Sequence, residues 1–195
     1  EWLGEVQPDV LLLQETKLAD DAFPALSFEA LGYSSAHYGQ GQWNGVAILS
    51  KVGIDNVVAN FAGDVEPDPD ARIITATCGD VRVSSVYVPN GQSVGSDKYE
   101  YKLHWLEALH DYVAAELARH PRCVVLGDYN IAPEDRDVHD PKAWEGSVHV
   151  SEPERAALRR LLACGLEDCF RRFEQPEKSF SWWDYRMMAF RRNAG

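Results

Sequence analysis

The sequence has no apolar run long enough to cross a bilayer. Its longest strictly apolar stretch, Val10 to Leu13, is far short of the roughly 20 residues that a spanning helix needs. No basic leader opens it either: residues 1–10 are acidic, where a secretory signal starts positively charged. The four cysteines, Cys78, Cys123, Cys164 and Cys169, form no CxxC pair. Cys78 and Cys123 fall in strand-like runs, so buried free thiols and a reducing, cytoplasmic location are expected. The six histidines show no HxH or HExxH arrangement, which speaks against a zinc site. Internal repeats and low-complexity tracts are absent. Basic residues are few: 19 Lys and Arg stand against 31 Asp and Glu, for a net charge of −12. Taken alone, that charge argues against a nucleic-acid partner, which attracts a basic footprint. Two considerations soften the argument. A carboxylate-rich metal site carries negative charge of its own, and a basic rim can exist locally within an acidic total. Arg171, Arg172, Arg186, Arg191 and Arg192 gather late in the chain, either as such a rim or as ordinary solvated arginines.

What is present suits a folded α/β protein. At 195 residues with 45% hydrophobic and 26% charged, the chain can bury a sizeable core as a single domain over residues 1–195. Residues 1–4 read as the tail of a helix. Val10 to Gln14 reads as a buried strand with Glu15 at its end. A short helix is expected around Ala22 to Leu26, then strands over Tyr33–Tyr38 and Val46–Ser50, and a loop over Asp64–Asp70. Arg72–Cys78 and Val81–Val88 suggest a hairpin turning at Gly79-Asp80. Tyr99 to Ala118 has helical periodicity, with Leu103, Leu106, Leu109, Val113 and Leu117 on one face and Pro121 beyond its end. Cys123–Asp128 reads as a buried strand and Pro133–Val150 as irregular. Pro153–Ala163 reads as a helix with Ser151 and Glu154 as its capping box. Ser179–Tyr185 is expected as an aromatic strand. The order lacks the regular alternation of a parallel doubly wound sheet. It fits a layered α/β sandwich, with two mainly antiparallel sheets flanked by helices.

Several strands deliver a polar residue where an apolar run stops, a common way to build a site on rigid elements. Glu15 follows such a run. A carboxylate there is costly unless paired or metal-bound, and Mg2+ takes one or two carboxylates with water and phosphate oxygens; the alternative is a strand-end Glu turned to solvent. In Gly127-Asp128-Tyr129-Asn130, the glycine permits a tight turn, and Asp128 and Asn130 point the same way if extended. Together they could hold one water or phosphate oxygen, or Asp128 could simply cap its own turn. Tyr87, before Pro89-Asn90-Gly91, offers a phenol that can bond a phosphoryl oxygen; a buried structural Tyr is the alternative. Ser181-Trp182-Trp183-Asp184-Tyr185-Arg186 suits stacking on bases or sugars, or a packed aromatic edge.

Taken in order, the segments containing Gln14-Glu15-Thr16-Lys17, Trp43-Asn44-Gly45-Val46, Tyr87-Val88-Pro89-Asn90-Gly91, Gly127-Asp128-Tyr129-Asn130 and Trp182-Trp183-Asp184-Tyr185-Arg186 closely resemble the bacterial exonuclease III family. Its members are apurinic/apyrimidinic endonucleases of the endonuclease/exonuclease/phosphatase superfamily. The resemblance runs from end to end. It implies a four-layer α/β sandwich, here partial, and dependence on Mg2+ or Mn2+. It also implies a monomer that acts on double-stranded DNA with abasic sites or 3′ ends, incising 5′ to the abasic site, with 3′→5′ exonuclease and 3′-end-cleaning activity. Carried over residue by residue, Glu15 becomes the metal ligand and Tyr87 the phenol near the scissile phosphate. Asp128 activates or orients water, and Asn130 positions phosphate and nucleophile. Trp182 and Arg186 fall in the segment lining the abasic-sugar pocket, and Asn44 and Arg72 become supports for substrate or site geometry.

Two departures accompany the resemblance. Family members begin with a strand ending in an Asn near the metal, and they end with an Asp-His pair; neither has a counterpart here. His139 and His149 are poor substitutes for the missing His. The sequence is therefore expected to be part of a longer protein, incomplete at both ends, with apolar surface exposed at two sheet edges. Alone it is expected to have little catalysis, because such constellations act as a unit. Two other readings stand beside the enzyme: a phosphoinositide or sphingomyelin phosphodiesterase of the same superfamily, and a catalytically impaired DNA-damage-binding module.

Overall fold

A computed structural model describes residues 2–186 and 188–195; Glu1, first residue of the expected helix tail, lies outside them. In chain order the elements are α1 (Trp2–Val6), β1 (Val10–Gln14), α2 (Ala25–Glu29), β2 (Ser34–Tyr38), β3 (Val46–Ser50), β4 (Asp55–Ala59), β5 (Ile73–Cys78), β6 (Val81–Tyr87), α3 (Asp97–Arg119), β7 (Cys123–Asp128), α4 (Pro141–Trp144), α5 (Glu152–Ala163) and α6 (Ala189–Arg192), with short 3-10 turns between some of them. They fall into two compact units. One comprises residues 1–88 and 111–129, the other residues 89–110 and 130–195.

The first unit holds both sheets. One has the order β1-β3-β2 and the other β4-β5-β6-β7. Every pairing is antiparallel except β6 with β7, so the mainly antiparallel α/β architecture is observed. Val46 and Ile48 of β3 meet Ile74, Ala76 and Cys78 of β5 and Val83 of β6 in one apolar cluster, with Val10, Leu12 and Tyr38 packed on it. Alternate strand residues from two facing sheets thus form the core. The C-terminal part of α3 belongs to this unit. There Tyr112 packs edge-on against Phe61, and Glu116 accepts from Arg82 Nε at 2.6 Å.

The second unit contains the N-terminal part of α3 with α4, α5 and α6. Ser151 and Glu154 form the expected reciprocal capping box at the start of α5. The buried stripe of α3 includes Tyr99, Lys102, Leu106, Leu109, Val113 and Glu116. It is rotated from the expected all-apolar one, since Leu103 and Leu117 are only half-buried.

Other expectations need correction. The helix near Ala22–Leu26 is a 3-10 turn over Asp20–Ala22 followed by α2, because Pro24 interrupts the run. β4 has no period-two apolar pattern to announce it, since its residues are almost all exposed. Ser179–Tyr185 forms no strand; Trp183 instead stacks edge-on with Phe190 at 5.0 Å and donates to Asn193 at 3.1 Å. Its aromatic composition reflects local ring packing rather than a ladder. All four cysteines are free, but only Cys78 is buried; Cys123 is half-buried. No residue of the edge strands β1 and β7 is fully buried, and Leu126 is 50% exposed.

Candidate active site

In the first unit, four strand ends bring together Glu15, Arg72, Tyr87 and Asp128. β6 and β7 run parallel in a register that sets Tyr87 opposite Asp128, and the Val88 amide donates to the Asp128 carbonyl at 2.9 Å. Gly127 makes this approach feasible: a Cβ there would collide with the Val86 carbonyl oxygen. Arg72 enters the same corner from the start of β5. Its guanidinium lies 5.0 Å from the centre of the Tyr87 ring and donates to the Tyr87 carbonyl at 3.3 Å. Its Nε is held by Asp70 at 3.2 Å. The Tyr87 phenol is hydrogen-bonded to Glu15. Burial first, then the negative charge of Glu15 and its hydrogen bond, push that phenol up to about 12; Asp128 acts in the same sense and Arg72 against it. The phenol therefore stays protonated at neutral pH and can only donate to an anionic oxygen.

Glu15 leaves β1 with φ +52 and is paired with Lys17 at 2.8 Å. The Lys17 amide donates to the Asn44 carbonyl at 2.9 Å and the Thr16 amide to Gly45 at 3.2 Å. Asn44, itself at φ +55, thus supports the Glu15 turn through its backbone. Behind this turn, Thr16 Oγ1 lies 2.8 Å from His37 Nε2, and His37 Nδ1 lies 2.8 Å from Asp20. Burial holds His37 below its usual pKa against the pull of Asp20. The neutral ring then accepts the Thr16 hydroxyl at Nε2, with Nδ1 facing the Asp20 carboxylate.

In the second unit, Asn130 sits at φ +49. Its Oδ1 accepts from Asn90 Nδ2 at 3.4 Å, and the same Asn90 amide stands 3.0 Å from His149 Nε2. Lys102 Nζ donates to the Asn90 carbonyl at 3.1 Å, to the Asn130 carbonyl at 2.6 Å and to the Glu154 carboxylate. His149 is lowered to about 4, chiefly by burial and then by the Lys102 charge, so at neutral pH its ring is an uncharged acceptor. Trp182 is exposed, as is Arg186, whose Nε pairs with Asp184 at 3.2 Å.

Sequence reasoning assigned no role to Asn90, Lys102, His149 or Glu154 around Asn130. A signal existed for Lys102: it lies four residues before Leu106 and seven before Leu109, within an apolar stripe where a lone cation requires a partner. That partner is 52 positions away, beyond the reach of any local pattern.

The donor chemistry suits a hard divalent cation. Glu15 supplies a carboxylate that is 44% exposed and can be approached from solvent. Among the described residues, no group of three His, Cys, Asp or Glu could hold a metal by itself. Among the described residues, no helix is long and apolar enough to cross a membrane.

The Endonuclease/Exonuclease/phosphatase family matches residues 1–195. Exodeoxyribonuclease III of Haemophilus influenzae is 37% identical over 205 residues, spanning 99% of this chain and 76% of that relative. The 3′ phosphatase NExo from Neisseria, solved bound to a product DNA hairpin, superposes with a TM-score of 0.91 at 39% identity over 99% of this chain and 77% of its own. An AP endonuclease from Archaeoglobus fulgidus gives a TM-score of 0.93 at 36% identity, covering 100% of this chain and 75% of its own. With fold and sequence in agreement, the chain belongs to the Endonuclease/Exonuclease/phosphatase family and stands among its exodeoxyribonuclease III and AP endonuclease members as a hydrolytic nuclease.

Proposed function

We propose that the chain provides the catalytic strand ends of a Mg2+-dependent (or Mn2+-dependent) DNA-repair phosphodiesterase. It incises double-stranded DNA 5′ to abasic sites and trims 3′ ends, acting as a monomer in the cytoplasm. The observation that carries this reading is the convergence of Glu15, Tyr87 and Asp128 at the ends of β1, β6 and β7, with the phenol held protonated between two carboxylates. Glu15 would hold the metal ion, which, when bound, supplies positive charge to the phosphate oxygens. Tyr87 donates to a non-bridging phosphate oxygen as negative charge grows there. Asp128 orients the attacking water and accepts its proton as the new P–O bond forms and the bond to the leaving oxygen breaks. Asn130 donates from its carboxamide to the phosphate or the nucleophile, and Arg72 keeps the Tyr87 ring in place. Asn44 carries the Glu15 turn. Trp182 and Arg186 offer a ring face and a cation to the abasic sugar and the backbone beside it. A relative solved bound to a product DNA hairpin supports a DNA substrate.

The test is cleavage of a duplex oligonucleotide with one abasic site, with Mg2+ and with chelator. Asp128→Ala in the native protein is expected to abolish turnover, a loss of 10³-fold or more, while its thermal transition stays near that of the wild type. Cutting at the wild-type rate by Asp128→Ala would remove Asp128 from the reaction, and equal cutting in chelator would remove the metal.

A further inference from the structure

In the second unit one fully buried cation joins three separate pieces of chain. Lys102, on α3, is 0% exposed, and so is Glu154 in the first turn of α5. Beyond Glu154, the ammonium donates to two main-chain carbonyls, those of Asn90 at 3.1 Å and Asn130 at 2.6 Å. The carboxylate is occupied in its turn. It accepts the His149 amide at 3.0 Å, the Ser151 amide at 3.2 Å and the Ser151 hydroxyl. The two carbonyls belong to the turns whose side chains meet above them, Asn90 Nδ2 to Asn130 Oδ1 at 3.4 Å, with His149 Nε2 at 3.0 Å from the same amide.

Placing a buried charge here is costly unless it is fully bonded. A neutral side chain at 102 would satisfy the apolar stripe of α3 as well or better. What only an ammonium provides is a set of directed donors that fix several oxygens from one point. The space is shaped for it. A Cβ on Gly91, at φ +92, would stand only 3.0 Å from Lys102 Cδ and from Val148 Cγ2, so the stem runs against the backbone of the Asn90 turn. Asn130 is in the left-handed region at φ +49, uncommon for a non-glycine residue though one that Asn enters more readily than most.

We propose that Lys102 is a positioning residue for hydrolysis. With Glu154 as its buried counter-ion, it clamps the Asn90 and Asn130 carbonyls and thereby aims the Asn130 carboxamide. The role rests on the reading of Asn130 given above. Lys102 touches neither substrate nor nucleophile; it acts through the turn it holds. Sub-ångström control of such a group matters, because a displacement of about 1 Å can cost 10²-fold in rate.

The experiment compares Lys102→Met with the wild type, alone and in an Asn130→Ala background, on abasic-site duplex DNA. Lys102→Met is expected to lower kcat by roughly 10- to 100-fold with KM within about threefold. In the Asn130→Ala background the same change is expected to cost less than about threefold, since its target side chain is gone. A general loss of stability would not produce that dependence on the partner. Glu154→Gln, which keeps an acceptor for the α5 cap, is the second variant should Lys102→Met fold poorly, and the same split is expected of it. Amide hydrogen exchange at residues 129–131 gives a reading independent of cleavage and is expected to quicken tenfold or more in either variant. Unchanged exchange, a wild-type kcat, or an equal loss with and without Asn130 overturns the clamp. A wild-type protein that cuts no DNA while the exchange effect persists would overturn the nuclease assignment and leave the clamp standing.

Discussion

At the level of single residues, the candidate site was legible where the signal was local. Glu15, Tyr87 and Asp128 each follow an apolar strand, and a polar group where burial ends is readable from a few neighbours. The partners that set their behaviour are not. Arg72 reaches the Tyr87 ring across 15 positions, and Asn90 reaches His149 across 59. His149, a poor substitute for a catalytic His by sequence, proves to be a neutral acceptor for the Asn90 amide, and its acid behaviour is open to test. Its folded pKa of about 4 lies below the 6.5 of an ordinary imidazole, so the unfolded chain binds this proton more readily than the folded one. The stability it contributes is therefore complete above about pH 6.5 and is lost as the pH falls toward 4. Denaturant midpoints measured from pH 7 to pH 4 are expected to decline less steeply for His149→Gln than for the wild type. Parallel declines would place the acid sensitivity in other groups.

At the level of elements, composition announced what regular patterns could encode. The capping box of α5, the hydrophobic strands β3, β5 and β6, and the long α3 all follow local rules. β4 escaped because an exposed strand has no buried face to alternate. Residues 179–185 misled because rings that pack on one another in a loop look, by composition, like a strand. The parallel join of β6 to β7 could not be read at all, since pairing across a long helix depends on tertiary packing. Its tightest point is Gly127, where any side chain would enter the Val86 carbonyl. Gly127→Ala is therefore expected to destabilise by more than about 1 kcal/mol, because the strand must retreat from β6 and carry Asp128 with it. Denaturant unfolding together with abasic-site cleavage should show both stability and kcat falling. A variant as stable and as active as the wild type would show that β7 tolerates the extra carbon.

At the level of the whole molecule, a net charge of −12 confronts a polyanionic substrate, and local basic groups must offset the mismatch. The late arginines are not equally available. Arg171 is paired with Asp137, Arg172 with Glu167 at 3.3 Å and Arg186 with Asp184 at 3.2 Å, so part of the rim read from sequence is neutralised within the protein. Arg191 and Arg192 close α6 beside the exposed Phe190, and they are the residues to test as phosphate contacts. Each phosphate neutralised releases counterions and contributes about 0.9 to the slope of log affinity against log salt. Replacing both arginines by alanine is expected to reduce that slope by about 1 to 2 and to weaken DNA binding at low salt. The rate at saturating DNA should hold, because neither residue belongs to the strand-end constellation. Fluorescence anisotropy with labelled duplex in chelator, across a potassium chloride series, measures the slope without cleavage. An unchanged slope would remove α6 from the DNA contact and shift the burden to cations elsewhere on the chain.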